Sequence, residues 1–237
     1  MNALGQVWHR VLATQAAPPG PVIAALAVAA AALVLLPRAW PVTRHVVTIV
    51  HEGAHGLAAL LTGRRLSGIR LHSDTSGVTV SVGRPRGPGM VLTAAAGYVG
   101  PALLGLGAAA LLGAGHAVAL LWAVLVMLAL LLVQIRNWFG LWSVLASAAV
   151  VLAVSWLLPG QAQSAFAYLL AWFLLLSAPR PVLELQAERR RRRSSGSDAD
   201  QLARLTGVPG LVWVGVFLAV SLGSLVTGAR WLLDGVA

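Results

Sequence analysis

Long apolar stretches separated by short polar segments dominate the pattern of this chain. A transmembrane helix needs roughly 20 mostly apolar residues. Seven stretches approach or reach that length, at 22–36, 45–62, 91–113, 117–134, 138–157, 164–180 and 208–233. The first of them is short and lies between Pro21 and Pro37. The pattern predicts an all-α polytopic membrane protein with about six or seven transmembrane helices.

The composition agrees with a membrane protein and excludes several other classes. Of the 237 residues, 58% are hydrophobic and 10% charged, against about 45–50% and about 25% in average soluble proteins. The net charge is +10, but the basic residues form short clusters between apolar stretches, which argues against nucleic-acid binding. The absence of cysteine excludes disulfides and thiolate metal ligands.

The distribution of arginine predicts the orientation. We divide the chain into an N-terminal interfacial segment (1–21), a membrane core (22–180), a basic loop (181–207) and a last transmembrane helix (208–237). Seven spans place 14 of the 17 basic residues on one side. Basic loops stay in the cytoplasm, so we expect a cytoplasmic N-terminus and an outer C-terminus. All the basic residues are arginine, which indicates a GC-rich bacterial genome and hence a bacterial cell membrane.

Two polar segments are more than connectors. In 64–89, the runs Ile69–Leu71 and Gly77–Val82 alternate or are β-branched around turn residues, which predicts a β-hairpin.

In the basic loop, Arg189–Arg193 forms a cluster of the kind that contacts anionic lipid headgroups. Beyond it, Ser197 and Asp200 match an acidic variant of a capping box, and Gly207 would end the short helix that follows.

The second apolar stretch contains the sequence His51-Glu-Gly-Ala-His55. On a helix, positions i and i+4 share one face, so both imidazoles can bind a single metal ion. Glu52 is adjacent, where its carboxylate can take a proton from a metal-bound water. The alternative is that these histidines only form hydrogen bonds between helices. Three ionisable groups within five residues of an apolar helix favour a functional site, and we expect Zn²⁺.

The motif is accompanied by further matches to a known family. After it come the hairpin loop, a small-residue segment Gly97-Tyr-Val-Gly100, and a late Ser197-Asp-Ala199. Together they resemble the site-2 proteases, which are intramembrane zinc metallopeptidases, and most closely their M50B-like branch. The resemblance covers most of 45–233. It implies cleavage of single-pass membrane proteins with Glu52 as general base, and it points to Gly97 and Tyr98 as substrate contacts.

The third metal ligand departs from the family pattern. Typical members supply an aspartate from an Asp-Gly pair on a later membrane helix, but 91–180 contains no acidic residue. The match to Ser-Asp-Ala selects Asp198, although an acid in the first turn of a helix is also favoured by the helix dipole alone. Asp200 is the second candidate. Asn137 could instead be a substrate-positioning amide or a weak ligand.

Two other functions compete with a peptidase. A pseudoprotease or chaperone-like protein would keep the histidines without turnover, and the missing Asp-Gly ligand favours it. A small ion transporter would need an internal repeat and a second polar cluster on another span, and the sequence gives neither.

Overall fold

The computed structural model describes residues 5, 9, 11–191 and 196–234. Helices form most of this part of the chain, together with one small sheet, as the sequence predicts. In chain order the elements are α1 (Gly20–Leu35), α2 (Trp40–Leu61), β1 (Arg65–Leu71), β2 (Gly77–Val82), α3 (Pro88–Gly113), α4 (Ala117–Gln134), α5 (Trp138–Leu157), α6 (Gly160–Ser177), α7 (Pro179–Arg190), α8 (Asp198–Thr206) and α9 (Gly210–Asp234).

The helices α1 and α2 meet at a bend of 97°. α1 ends where Leu36 takes an extended conformation, which is favoured for a residue that precedes proline, here Pro37. Pro41 lies in the first turn of α2, where its missing N–H interrupts no helical hydrogen bond. The sequence predicted separate spans at 22–36 and 45–62. The structure instead gives one bent pair, which is a broken span or a re-entrant loop.

In the described residues, five other segments are long and apolar enough to cross a membrane: α3, α4, α5, the continuous pair α6–α7, and α9. The bent pair brings the count to six at most, one fewer than the seven stretches read from the sequence. The stretch predicted at 164–180 lies inside the 31-residue segment formed by α6 and α7. A multi-pass helical membrane protein is confirmed.

The hairpin expected after the histidine motif is confirmed as an antiparallel pair of β1 and β2. Ile69 pairs with Thr79, and Leu71 pairs with Gly77, so these four residues share one face of the sheet. Ile69 and Leu71 are buried, because that face packs on α2 and on the α4–α5 turn. In that turn, Arg136 N–H donates to Ile69 O at 2.9 Å.

A second hydrophobic core, smaller than the main one between the spans, joins α3, α7, α8 and α9. Its buried members are Ala94, Val182, Leu185, Ala199, Leu202, Val214 and Phe217. α8 has only nine residues and cannot cross a membrane. Burial of Ala199 and Leu202 in this core holds α8 against the membrane helices.

A cluster of ionic and aromatic side chains links the bend to α7. Glu184 accepts hydrogen bonds from Trp40 Nε1 (2.9 Å) and Arg180 Nε (3.2 Å). Arg44 lies 3.3 Å from the second Glu184 oxygen. The Arg180 guanidinium stands 4.4 Å above the Trp40 ring and donates to Val34 O at the end of α1. The cluster therefore ties the ends of α1 and α2 to α7.

Replacing Glu184 tests this cluster. Glu184→Ala removes the acceptor of the Trp40 and Arg180 hydrogen bonds and the ion-pair partner of Arg44, and we expect a loss of about 1–2 kcal/mol of stability. The readout is a lower midpoint of thermal denaturation in detergent. Asp234→Ala, which removes an exposed carboxylate at the end of α9, is the control. Equal midpoints for the two variants would contradict the assigned role.

Candidate metal centre

His51 and His55 lie one turn apart on the face of α2 that is turned toward α3. Their Nε2 atoms are 3.1 Å apart. α3 approaches this face at two glycines. A methyl group at Gly97 would lie 2.5 Å from His51 Nε2 and nearer still to His55 Nε2, and one at Gly100 would collide with Ala54 Cβ. Both imidazoles therefore point into a space that exists because α3 lacks a side chain at residue 97.

Asp198 provides a third donor at the same point. Its Oδ2 lies 3.4 Å from His51 Nε2 and 3.2 Å from His55 Nε2. Ligands about 2.0–2.2 Å from a tetrahedral ion are about 3.3–3.6 Å apart, so the three atoms, at 3.1–3.4 Å from one another, have nearly the spacing of three corners of a zinc tetrahedron. Two imidazoles and a carboxylate are also the donor set of catalytic zinc sites, which keep the fourth position open. The residues present fit a zinc ion.

The ligands are held in the forms that bind a cation. His55 Nδ1 lies 2.7 Å from Thr93 O. A carbonyl oxygen only accepts, so Nδ1 carries a proton, and Nε2 is the ring atom left to bind a metal. Burial alone would raise the pKa of the Asp198 carboxyl, but the adjacent imidazoles lower that pKa below its ordinary value. The carboxylate is therefore ionised, as metal binding requires.

The capping prediction for α8 is confirmed, and the cap sets the position of Asp198. Ser197 Oγ accepts a hydrogen bond from Asp200 N at 3.3 Å, and Gly207 ends the helix in the left-handed conformation (φ 74°). The Asp200 carboxylate pairs with Arg189 at the end of α7. Asp200, the second candidate ligand, therefore forms an ion pair with Arg189 and does not reach the histidines. Among the described residues, only Asp198 lies with the two histidines in a group that could hold a metal ion.

Glu52 lies beside this group without being part of it. It is 5% exposed, and its carboxylate accepts a hydrogen bond from Thr79 Oγ1 at 2.6 Å. Gly77 covers it closely, since a Cβ there would lie 2.5 Å from Glu52 Cγ. Glu52 lines the same cleft as His51 and His55. Glu52 is therefore a cleft residue outside the group of three possible metal ligands.

An open cleft of about 690 Å³ reaches these groups, a volume typical of ligand sites. One wall is β2 with the turn before it, from Thr75 to Ser81. The opposite wall consists of α7 and the start of α8, including Leu185 and Gln201. The candidate metal ligands therefore lie in an accessible cleft and not in a closed core.

Comparison with known proteins agrees with this geometry. A family model described as peptidase M50B-like matches residues 23–228. The chain belongs to the peptidase M50B-like family. The resemblance to the site-2 proteases is thereby confirmed, and with it the assignment to a family of membrane metallopeptidases. No curated protein and no solved structure matches the chain.

Of two further residues that the sequence of this M50B-like chain suggested as substrate contacts, Tyr98 lies in the cleft and Asn137 lies outside it. Tyr98 lines the cleft, with its ring edge-on to His51 at 4.8 Å and stacked on Phe217 at 5.1 Å. Asn137 does not line the cleft. Its side-chain amide accepts from Leu71 N (3.2 Å) and donates to Leu71 O (2.6 Å), so it contacts the hairpin and neither ligand nor cleft.

Nothing in the sequence of this M50B-like chain marks Thr79, Gly77 or Thr93 as part of the site. Alternation along β2 places Thr79 on the same face as Gly77, but it does not say which helix that face contacts. Thr93 contributes a backbone carbonyl, which carries no signal in the sequence. These contacts exist only once the hairpin and α3 are packed against α2.

Gly97→Ala tests whether the space between the histidines is a metal site. The new methyl group would overlap the positions of both Nε2 atoms, and we expect zinc to be lost from the purified protein, measured by elemental analysis. Gly107→Ala is the matched control, because nothing lies within 4 Å of a Cβ at that position on the same helix. Zinc retained in the Gly97 variant would exclude a metal held by both Nε2 atoms.

Proposed function

We propose that this protein is an intramembrane zinc endopeptidase. The observation that carries the proposal is the convergence of His51, His55 and Asp198 with spacings of 3.1–3.4 Å, beside the separate carboxylate of Glu52. Family membership supports a peptidase in general. The donor set of two imidazoles and one carboxylate supports zinc as the cofactor.

The chemistry follows from which residues are ligands and which is not. Zinc bound by the three ligands would bring the pKa of a water molecule towards about 7 and polarise a peptide carbonyl. Glu52 takes the proton from the attacking water and later gives it to the leaving amine. Thr79 holds the Glu52 carboxylate. The His55–Thr93 contact keeps the imidazole proton away from the ligand atom.

The cleft suggests how a substrate is held. β2 pairs with β1 on one edge, and its residues from Gly77 to Ser81 line the cleft. An extended peptide could pair with unused backbone groups of that strand. The substrate we propose is a single-pass membrane protein whose helix unwinds locally, because a helical segment presents no free backbone groups. Tyr98, in the cleft wall, is the proposed substrate contact.

We propose a bacterial cell membrane as the location, with both described ends of the chain on the outer side. Gln15 N donates to Gly115 O (2.7 Å), and Val118 N donates to Gln15 Oε1 (2.9 Å). Gly113 in turn lies next to Trp231 in α9. The segment before α1, the α3–α4 turn and the end of α9 therefore meet at one end of the bundle.

The arginines support the sidedness. Of the described arginines, Arg230 lies near this shared end, whereas those from Arg38 to Arg204 follow the α1–α2 bend, the hairpin, the α4–α5 turn and α7–α8. The positive-inside rule makes that second end cytoplasmic. The C-terminus is then outside, as expected from the sequence. The N-terminal segment is then also outside, in contrast to the cytoplasmic N-terminus expected from the sequence, because in this proposal α1 and α2 together cross the membrane once.

Lipid contact is proposed for part of the basic cluster. Arg189 turns inward to Ser197 and Asp200, whereas Arg190 and Arg191 are exposed. These two side chains are free to contact anionic headgroups on the cytoplasmic side. Arg192 and Arg193 of the predicted cluster lie outside the described residues.

Metal content and cleavage test the proposed function together. In detergent-purified protein we expect about one zinc per chain, lost in His55→Ala and in Asp198→Ala. Glu52→Gln should keep the zinc while the rate falls by about 100-fold or more, as for loss of a general base. The rate is measured after the purified protein and a tagged single-pass membrane protein are reconstituted together into liposomes. Zinc without any cleavage by the wild type would favour the pseudoprotease, and no zinc would exclude both.

Single cysteines test the topology without background, since the chain has none. We expect Ala17→Cys and Ala114→Cys to react with a membrane-impermeant maleimide in intact cells, and Ser73→Cys at the hairpin tip to react only after permeabilisation. All three positions are exposed. If Ala17→Cys behaved like Ser73→Cys, the N-terminus would be cytoplasmic and α1 and α2 would be separate spans.

A further inference from the structure

The hairpin contacts α2 through three successive points of one strand and its turn. Thr48 Oγ1 donates to Thr75 O at 2.8 Å. Gly77 packs on the Glu52 side chain, and Thr79 Oγ1 donates to the Glu52 carboxylate. Within the described residues, this Thr79 hydroxyl provides the hydrogen bond to that carboxylate.

The other strand of the hairpin is fixed from the opposite side. Asn137 forms two hydrogen bonds with the backbone of Leu71, and Arg136 N donates to Ile69 O. The register matters here, because Leu71 pairs with Gly77 and Ile69 pairs with Thr79. The two residues held by the α4–α5 turn are thus directly opposite the two that contact Glu52.

A carboxylate that moves a proton must be held at one place relative to the reacting atoms, since small displacements lower the rate steeply. A glutamate side chain has three rotatable bonds and no intrinsic preference for such a place. Among the described residues, no side chain of α2 donates a hydrogen bond to the Glu52 carboxylate, whereas Thr79 of the hairpin does. The restraint on its carboxylate comes from the hairpin.

We propose that Thr79 is the positioning residue for Glu52, and that Asn137 keeps Thr79 in place through Leu71. This inference rests on the proposed function, because it takes Glu52 as the general base. Asn137 thereby acts through β1 and the hairpin, and it touches neither metal nor substrate.

The main test compares Thr79→Val, which keeps the shape and removes the hydroxyl, with Thr79→Ser, which keeps the hydroxyl. Thr79→Val should lower kcat by about 10- to 100-fold, the effect of losing a hydrogen bond to a charged group, with KM and zinc content unchanged. Thr79→Ser should restore most of the rate. Thr62→Val is the matched control, because that hydroxyl bonds only to carbonyls of α2.

A binding measurement provides a readout that needs no turnover. Acetohydroxamate chelates zinc and gives its hydroxyl proton to a neighbouring carboxylate. We expect Thr79→Val and Glu52→Gln each to weaken its binding, measured by calorimetry. Thr79→Val should have no further effect in the Glu52→Gln background, since coupled residues are not additive. Asn137→Ala should act in the same direction as Thr79→Val and add little to it.

Each other outcome overturns the inference. Wild-type kcat in Thr79→Val would show that Glu52 does not need this contact. Loss of zinc in Thr79→Val, or an equal loss of binding in the Glu52→Gln background, would assign the hairpin a general structural role. A wild type without zinc would overturn the proposed function and this inference with it. Zinc retained with an unaffected Thr79→Val would overturn this inference alone.

Discussion

The close approach of α3 to α2 shapes the candidate metal centre. Two imidazoles can direct their Nε2 atoms to one point only if the neighbouring helix leaves that point empty, and Gly97 does so. The same approach brings Thr93 O to His55 Nδ1. A single packing contact therefore provides both the space for an ion and the proton arrangement of one ligand. It also explains why small residues occur in this part of α3, since Gly100 lies directly against Ala54.

Two groups of ionisable side chains contact α2 in this apolar bundle. Charged groups in a low-dielectric interior are unfavourable unless they are paired or bind a metal. Glu184 pairs with Arg44 and Arg180 and fixes the bend, while Asp198 meets the two histidines. Both groups involve α2. The bent helix is therefore held at its start by the contacts of Glu184 and further along by the contact of Asp198 with the two histidines.

The bend also determines how water reaches the site. A straight span would carry His51 and His55 deep among apolar helices. Because α2 turns by 97° from α1, it runs beside the hairpin, α7 and α8, and the ligands face an open cleft. The proposed hydrolysis needs water at the scissile bond, and a cleft open to its surroundings would admit it. The hairpin then has two contacts with the site: it forms one wall of the cleft, and it restrains Glu52.

The sequence by itself determined the membrane class, most helices, the hairpin and the pairing of His51 with His55, because these follow from apolar length, alternation and helical spacing within one segment. It also predicted the cap of α8. The family resemblance ranked Asp198 above Asp200, but residue spacing alone could not choose between them, because two positions on one short helix point in different directions and only docking on the second core brings one of them to the histidines. The bend, the hydroxyl of Thr79 on Glu52 and the hairpin contact of Asn137 were likewise set by tertiary packing, since each joins residues far apart in the chain.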